Sequence, residues 1–109
     1  MIGIDMPVFD DYITDVLMRD LVGHDRKPAS FLVYLWLASR QGKEAEIQIS
    51  YQELAESVGI SKSSAQAAIR WLLKRRLVIV KKQSVTATPG YSVRTPWRDA
   101  ARRLAARGH

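Results

Sequence analysis

Tyr51-Gln-Glu-Leu-Ala-Glu-Ser-Val-Gly-Ile-Ser-Lys-Ser-Ser-Ala-Gln-Ala-Ala-Ile-Arg70 is the stretch on which the reading of this chain turns. Ser50, immediately before it, forms a capping box with Glu53. The hydroxyl accepts from the third helical N–H, and the carboxylate reaches back to the Ser50 N–H. A short helix therefore begins at Tyr51, and Gly59, which takes a left-handed backbone without steric cost, stops it. Ser61 caps a second helix whose Ala65, Ala68, Ile69, Leu72 and Leu73 make an inward stripe. Ala55 supplies the small side chain needed where two helices cross closely, and Val58, Ile60, Ala68 and Ile69 lock the pair against a core. The expectation is two short helices joined by a tight turn.

Upstream, Phe9, Tyr12, Ile13, Val16, Leu17 and Leu21 recur at steps of three and four, the mark of an amphipathic helix, with Gly23 as its stop. A further helix opens at Pro28, a favoured first helical residue because it has no N–H to leave unpaired. From Phe31 to Leu37 almost no polar face remains, so this helix is expected to lie at the centre of the domain. After a break at Gln41-Gly42-Lys43, Glu46-Ile47-Gln48-Ile49 alternates as a short half-buried strand does. Downstream, Leu77-Val78-Ile79-Val80 is a branched apolar run. It is followed by Lys81-Lys82, a polar stretch and a Pro89-Gly90 turn signal, after which Tyr91 to Arg94 returns as the partner strand. Trp97 to Ala106 reads as a last short helix among arginines. The fold class expected is mainly α with a small β-hairpin, as one domain over residues 1–109 with its core at about 10–94 and a basic tail at 95–109.

The 109 residues leave room for one core, and 47% apolar with 26% charged residues is the composition of a folded globular chain. The absence of cysteine excludes disulfides, thiolate metal sites and cysteine nucleophiles. The longest apolar run, Phe31 to Ala38, is far below the roughly 20 residues a membrane span needs. The start lacks the basic region of a signal peptide, so a cytoplasmic protein is expected. The net charge of +6 conceals a polarity: residues 1–56 hold 5 Lys/Arg against 10 Asp/Glu, and residues 57–109 hold 12 against 1. The second half is thus built to meet a polyanion; composition alone leaves DNA, RNA and an anionic membrane open.

With its preceding strand and following hairpin, the stretch from Glu53 to Leu77 resembles the winged subclass of helix-turn-helix proteins. It is similar both to the DNA-binding heads of GntR-family repressors and to the N-terminal domains of phage and plasmid replication initiators. The resemblance runs from about Asp10 to Arg94, and the long lead-in before the motif looks more like the replication initiators. It implies a sequence-specific duplex-DNA-binding protein, a transcriptional regulator or, alternatively, an initiator's origin-binding domain. A winged-helix adaptor that meets protein instead of nucleic acid is the reading from another class. One departure is Arg76, which stands where such proteins usually carry glycine before the leucine that opens the wing. A left-handed arginine there costs roughly 1–2 kcal/mol, which makes a rearranged turn the expectation.

The resemblance implies that a recognition helix at about 61–76 enters the major groove and that a basic wing at about 78–94 lies along the backbone or in the minor groove. On a helical projection Ser61, Lys62, Ser63, Gln66, Ala67, Arg70 and Lys74 face away from the core stripe. Gln66 suits adenine and Arg70 suits guanine as bidentate partners, while Ser61, Lys62 and Ser63 suit phosphate. The wing offers Lys81, Lys82, Gln83, Ser84, Thr86, Thr88 and Arg94 without an acid, with Lys74, Arg75 and Arg76 at its base. A homodimer through the first helix and the C-terminal tail is expected to place two recognition helices on successive turns of DNA. The aspartates Asp5, Asp10, Asp11, Asp15, Asp20 and Asp25 are scattered, and His24 and His109 lack catalytic partners, so no metal, cofactor or enzymatic step is expected. Trp36 is assigned to the core. Trp71 lies off the inward stripe, packing under the wing or the first helix or else meeting a partner subunit, and Trp97 is read as an anchor for the tail.

Overall fold

The structure, a computed structural model, describes residues 11–41, 46–82 and 84–96. Asp5, Phe9, Asp10, the 42–45 part of the break, Gln83, and the tail from Trp97 to His109 with its expected helix lie outside the described residues.

The first segment winds wider than an α-helix, in two π-helical pieces, Ile13–Leu17 and Arg19–His24. Its N–H groups reach back five residues, as from Asp25 to the Asp20 carbonyl at 2.7 Å. Ile13, Leu17 and Leu21 are buried, whereas Tyr12 and Val16, expected on the same face, are each 36% exposed. Wider winding turns the i+3 position further off the buried line than an α-helix does, which leaves the i+4 series inside. Gly23 does not stop this segment. It continues to His24, and the left-handed residue that ends it is Arg26, at φ 57°.

Helix α1, Pro28–Gln41, starts at the proline as expected and buries Phe31, Val33, Tyr34 and Leu37. It is not buried on every side, since Leu32 is 47% exposed. Strand β1, Ile47–Gln48, keeps the alternation read from the sequence, with Ile47 and Ile49 buried and Gln48 exposed. Both halves of the capping box form at Ser50 and Glu53, and α2 runs over Tyr51–Val58 to Gly59, whose φ of 90° requires the glycine. Ser61 caps α3, Lys62–Lys74, its hydroxyl accepting from Ser64 N–H at 3.1 Å. At the crossing of α1 and α3, buried Ser30 donates to the Ala68 carbonyl at 3.3 Å.

The end of α3 is a Schellman motif. Arg76 N–H reaches the Leu73 carbonyl at 3.1 Å and Leu77 N–H reaches the Leu72 carbonyl at 2.9 Å, with Leu72 and Leu77 both buried. Arg76 holds the left-handed position at φ 58°, so the turn keeps its ordinary form with arginine in the place of glycine and is not rearranged.

Strands β2, Val78–Lys81, and β3, Gly90–Val93, form the antiparallel hairpin, with Val80 opposite Tyr91 and Lys81 opposite Gly90. Gly90 therefore belongs to the strand and not to the turn. The side chain of Glu46 lies over it, in space that a Cβ there would occupy. The other edge of β3 pairs with β1, Ile47 opposite Tyr91, to give a three-stranded sheet in the order β1-β3-β2. Two side chains of α1 fasten the sheet. Tyr34 hydroxyl donates to the Arg94 carbonyl, and Gln41 Oε1 accepts from Val93 N–H, both at 2.9 Å. The element order and sheet are those of a winged helix-turn-helix, an α+β fold.

Candidate nucleic-acid interface

Helix α3 has its buried side fixed by Ala65, Ala68, Ile69 and Leu72. The opposite strip carries exposed Ser63, Ala67, Arg70 and Lys74, with Gln66 half-buried on one flank and Trp71 half-buried on the other. The two flanks have different neighbours. Lys62, Ile69 and Leu73 line a cleft shared with the hairpin, and Ser64, Ala67 and Ala68 line a shallower groove shared with Arg26, Lys27 and the first turn of α1.

The cleft on the hairpin side holds about 500 Å³ and brings Lys62 together with Lys82, Thr86 and Thr88 and with Ser50 and Gln52 at the start of α2. Tyr91 forms part of its wall, with a hydroxyl that is buried and has no hydrogen-bond partner among the described residues. Burial, with the Tyr51 hydroxyl alongside, pushes its ionisation well above the ordinary phenol range. Lys81 alternates toward a second hollow lined by Glu46, Gln48 and Thr88. The hairpin thus does have an acid beside it, brought by pairing β1 to β3 rather than by the hairpin's own sequence.

Of the residues singled out in the sequence, Lys62, Lys82 and Thr86 meet around one cleft, and Ser63, Arg70 and Lys74 share one exposed strip. The Ser61 hydroxyl is engaged in its own helix start, accepting from Ser64 N–H and contacting Ser63 and Ser64 hydroxyls at 3.2 and 2.8 Å. Thr86 lies 3.5 Å from the Ser84 hydroxyl in the hairpin loop. Arg94 stands apart from them. It follows Val93 at the root of the hairpin, the end opposite Lys81 and Gly90, where its N–H donates to the Leu77 carbonyl at 2.8 Å.

Charge on the α1 side was not anticipated. Trp71 Nε1–H donates to Asp25 Oδ2 at 3.0 Å, and Lys27 and Lys74 place their ammonium groups 5.0 and 5.1 Å from the centre of its ring. Arg75, assigned to the base of the wing, has its Nε 3.4 Å from the same carboxylate oxygen. Burial works to raise the Asp25 pKa, but hydrogen bonds from His24 and Trp71 and the Arg75 charge outweigh it and hold the carboxyl below its ordinary range. Trp71 thus packs beside the turn after the first helical segment. The available signal was an indole off the inward stripe with a lysine three residues on; its partner Asp25 is 46 residues away in sequence. Trp36 is partly buried against the core and carries the Arg40 guanidinium 5.0 Å from its ring centre.

Among the described residues no group of three or more His or acidic side chains converges in a way that could hold a metal ion, and no helix is long and apolar enough to cross a membrane. Residues 27–78 match a family model described as a helix-turn-helix domain. The match begins at the entry to α1 and ends on the first residue of β2, so it takes in α2, the Gly59 turn and α3, and covers just under half of the chain. Comparison with curated proteins and with solved structures gave no match.

Proposed function

Proceeding from the helix-turn-helix domain at residues 27–78, we propose that this chain is a sequence-specific duplex-DNA-binding protein that acts as a transcriptional regulator in the cytoplasm, with no catalytic step. The observation that carries the reading is the exposed strip of α3. The second helix of the motif turns Ser63, Arg70 and Lys74 outward and Gln66 partly so, beside a cleft where Lys62 meets the cationic hairpin. In this reading Gln66 and Arg70 address base edges, while Ser61, Lys62, Ser63, Lys74, Lys81, Lys82, Thr86 and Arg94 hold backbone and sugar. Occupancy is the mechanism: phosphates are neutralised, a few base pairs are read, and other machinery is blocked or recruited.

The whole chain serves as one winged domain with a basic tail at 95–109. A homodimer through the leading helical segment and that tail sets two α3 helices about 34 Å apart, one turn of DNA. The long lead-in formed by residues 11–24 and α1 favours a second reading, the origin-binding domain of a replication initiator.

The test is binding of the full chain to labelled duplexes over a range of salt concentrations. Lys81→Ala and Lys82→Ala weaken all duplexes alike, each flattening the slope of log K against log salt by about 0.9 if it removes one phosphate contact. Duplex binding that ignores salt, or its absence, rejects the reading in favour of a protein-interaction module. Bound sites arranged as inverted repeats support the regulator, and direct repeats support the initiator.

A further inference from the structure

Trp71 is the meeting point of three segments on the side of α3 away from the hairpin. Its indole N–H donates to Asp25 Oδ2, which also takes Arg75 Nε, while Asp25 Oδ1 lies 3.1 Å from His24 Nδ1. The Asp25 side chain is only 6% exposed, so its carboxylate is enclosed by these donors. The turn that follows is held by its backbone, with Lys27 N–H donating to the Leu21 carbonyl at 2.7 Å, and it passes through left-handed Arg26.

Lys27 and Lys74 arrive at the ring from opposite ends of this arrangement, one from the turn and one from the last position of α3. Attraction to the ring holds each ammonium near it, which concentrates two positive charges around one indole. Asp25 does not resolve this, because it is engaged by Trp71 and Arg75, and among the described residues neither ammonium is in an ion pair. What fits the remaining charge is an anion from outside. Lys74 shares the exposed strip of α3 with Arg70, and Arg26 and Lys27 border the groove beside Ala67, so that anion would approach along the recognition face itself.

We propose that Lys27 and Lys74, seated on Trp71 and fixed in place by Asp25, form a backbone-phosphate site that flanks α3 on its α1 side. DNA is thereby gripped on both sides of the recognition helix, by the hairpin on one and by the Trp71 corner on the other. Trp71 and Asp25 are positioning residues, and the phosphate meets the two ammonium groups. The inference rests on the DNA reading above.

The deciding experiment compares salt slopes for the full chain and its variants on one duplex, with helical content checked by circular dichroism. Lys27→Ala is expected to flatten the slope by about 0.9 and Lys27→Arg to keep it. Trp71→Phe, which keeps a ring but cannot donate to Asp25, is expected to lie between them. Should Trp71→Phe fail to fold, the two Lys27 variants decide. A wild-type slope that Lys82→Ala flattens and Lys27→Ala leaves unchanged overturns this site and leaves the DNA reading standing. Absence of salt-dependent binding by the unaltered chain overturns both.

Discussion

Arg76 sits in a backbone conformation that disfavours it, at φ 58° in the turn between α3 and the hairpin. Both hydrogen bonds of the Schellman motif and the buried Leu72 and Leu77 hold it there. Glycine needs no such compulsion. Arg76→Gly is therefore expected to stabilise the fold by about 1 kcal/mol. For a domain of this size that is a rise of about 4–8 °C in the midpoint of thermal unfolding. At Asp25 the sign is opposite. Its folded pKa lies below the ordinary value, so its stabilisation is complete above the unfolded pKa and is lost as pH falls through the folded one. Asp25→Asn should be less stable than the parent at neutral pH in urea unfolding, with the gap closing only under strongly acid conditions.

Among the elements, α2 depends most on a local signal. With eight residues it is too short to persist on propensity alone, and the reciprocal Ser50–Glu53 cap satisfies N–H groups that would otherwise be open. Ser50→Ala should cost about 1 kcal/mol, read as a lower urea midpoint at unchanged m-value. Signals of this range, the cap at Ser50, the glycine at 59, the cap at Ser61 and the proline at 28, were legible in the sequence because each acts within three or four residues. The π winding of residues 13–24 was not, since apolar residues at steps of four suit either helix. Nor was the strand position of Gly90: Pro89-Gly90 has the composition of a turn, and its pairing with Gln48 of β1 and Lys81 of β2 is set by distant strands.

Across the whole molecule, the sequence located a cationic second half and a polar flank on α3, and the fold gathers Lys62, Lys82 and Thr86 from both sides of one cleft. Arg26 and Lys27 escaped notice because they belong to the acidic half by sequence; the fold sets Lys27 over the Trp71 ring of α3 and both residues beside the groove at Ala67. Arg94 drew notice for its charge, but strand register puts it at the hairpin's root. Distant pairings of this kind leave no periodic trace in the chain.

The most direct test is selection of bound sequences from a random duplex pool at moderate salt, run in parallel with the unaltered chain and with Gln66→Ala/Arg70→Ala. The unaltered chain is predicted to enrich a defined motif. The double variant is predicted to lose preference at two or more of its positions, each contact being worth about 1–3 kcal/mol of discrimination. Recovery of the same motif by both proteins, or of no motif by either, would contradict the assignment of α3 as the helix that reads DNA.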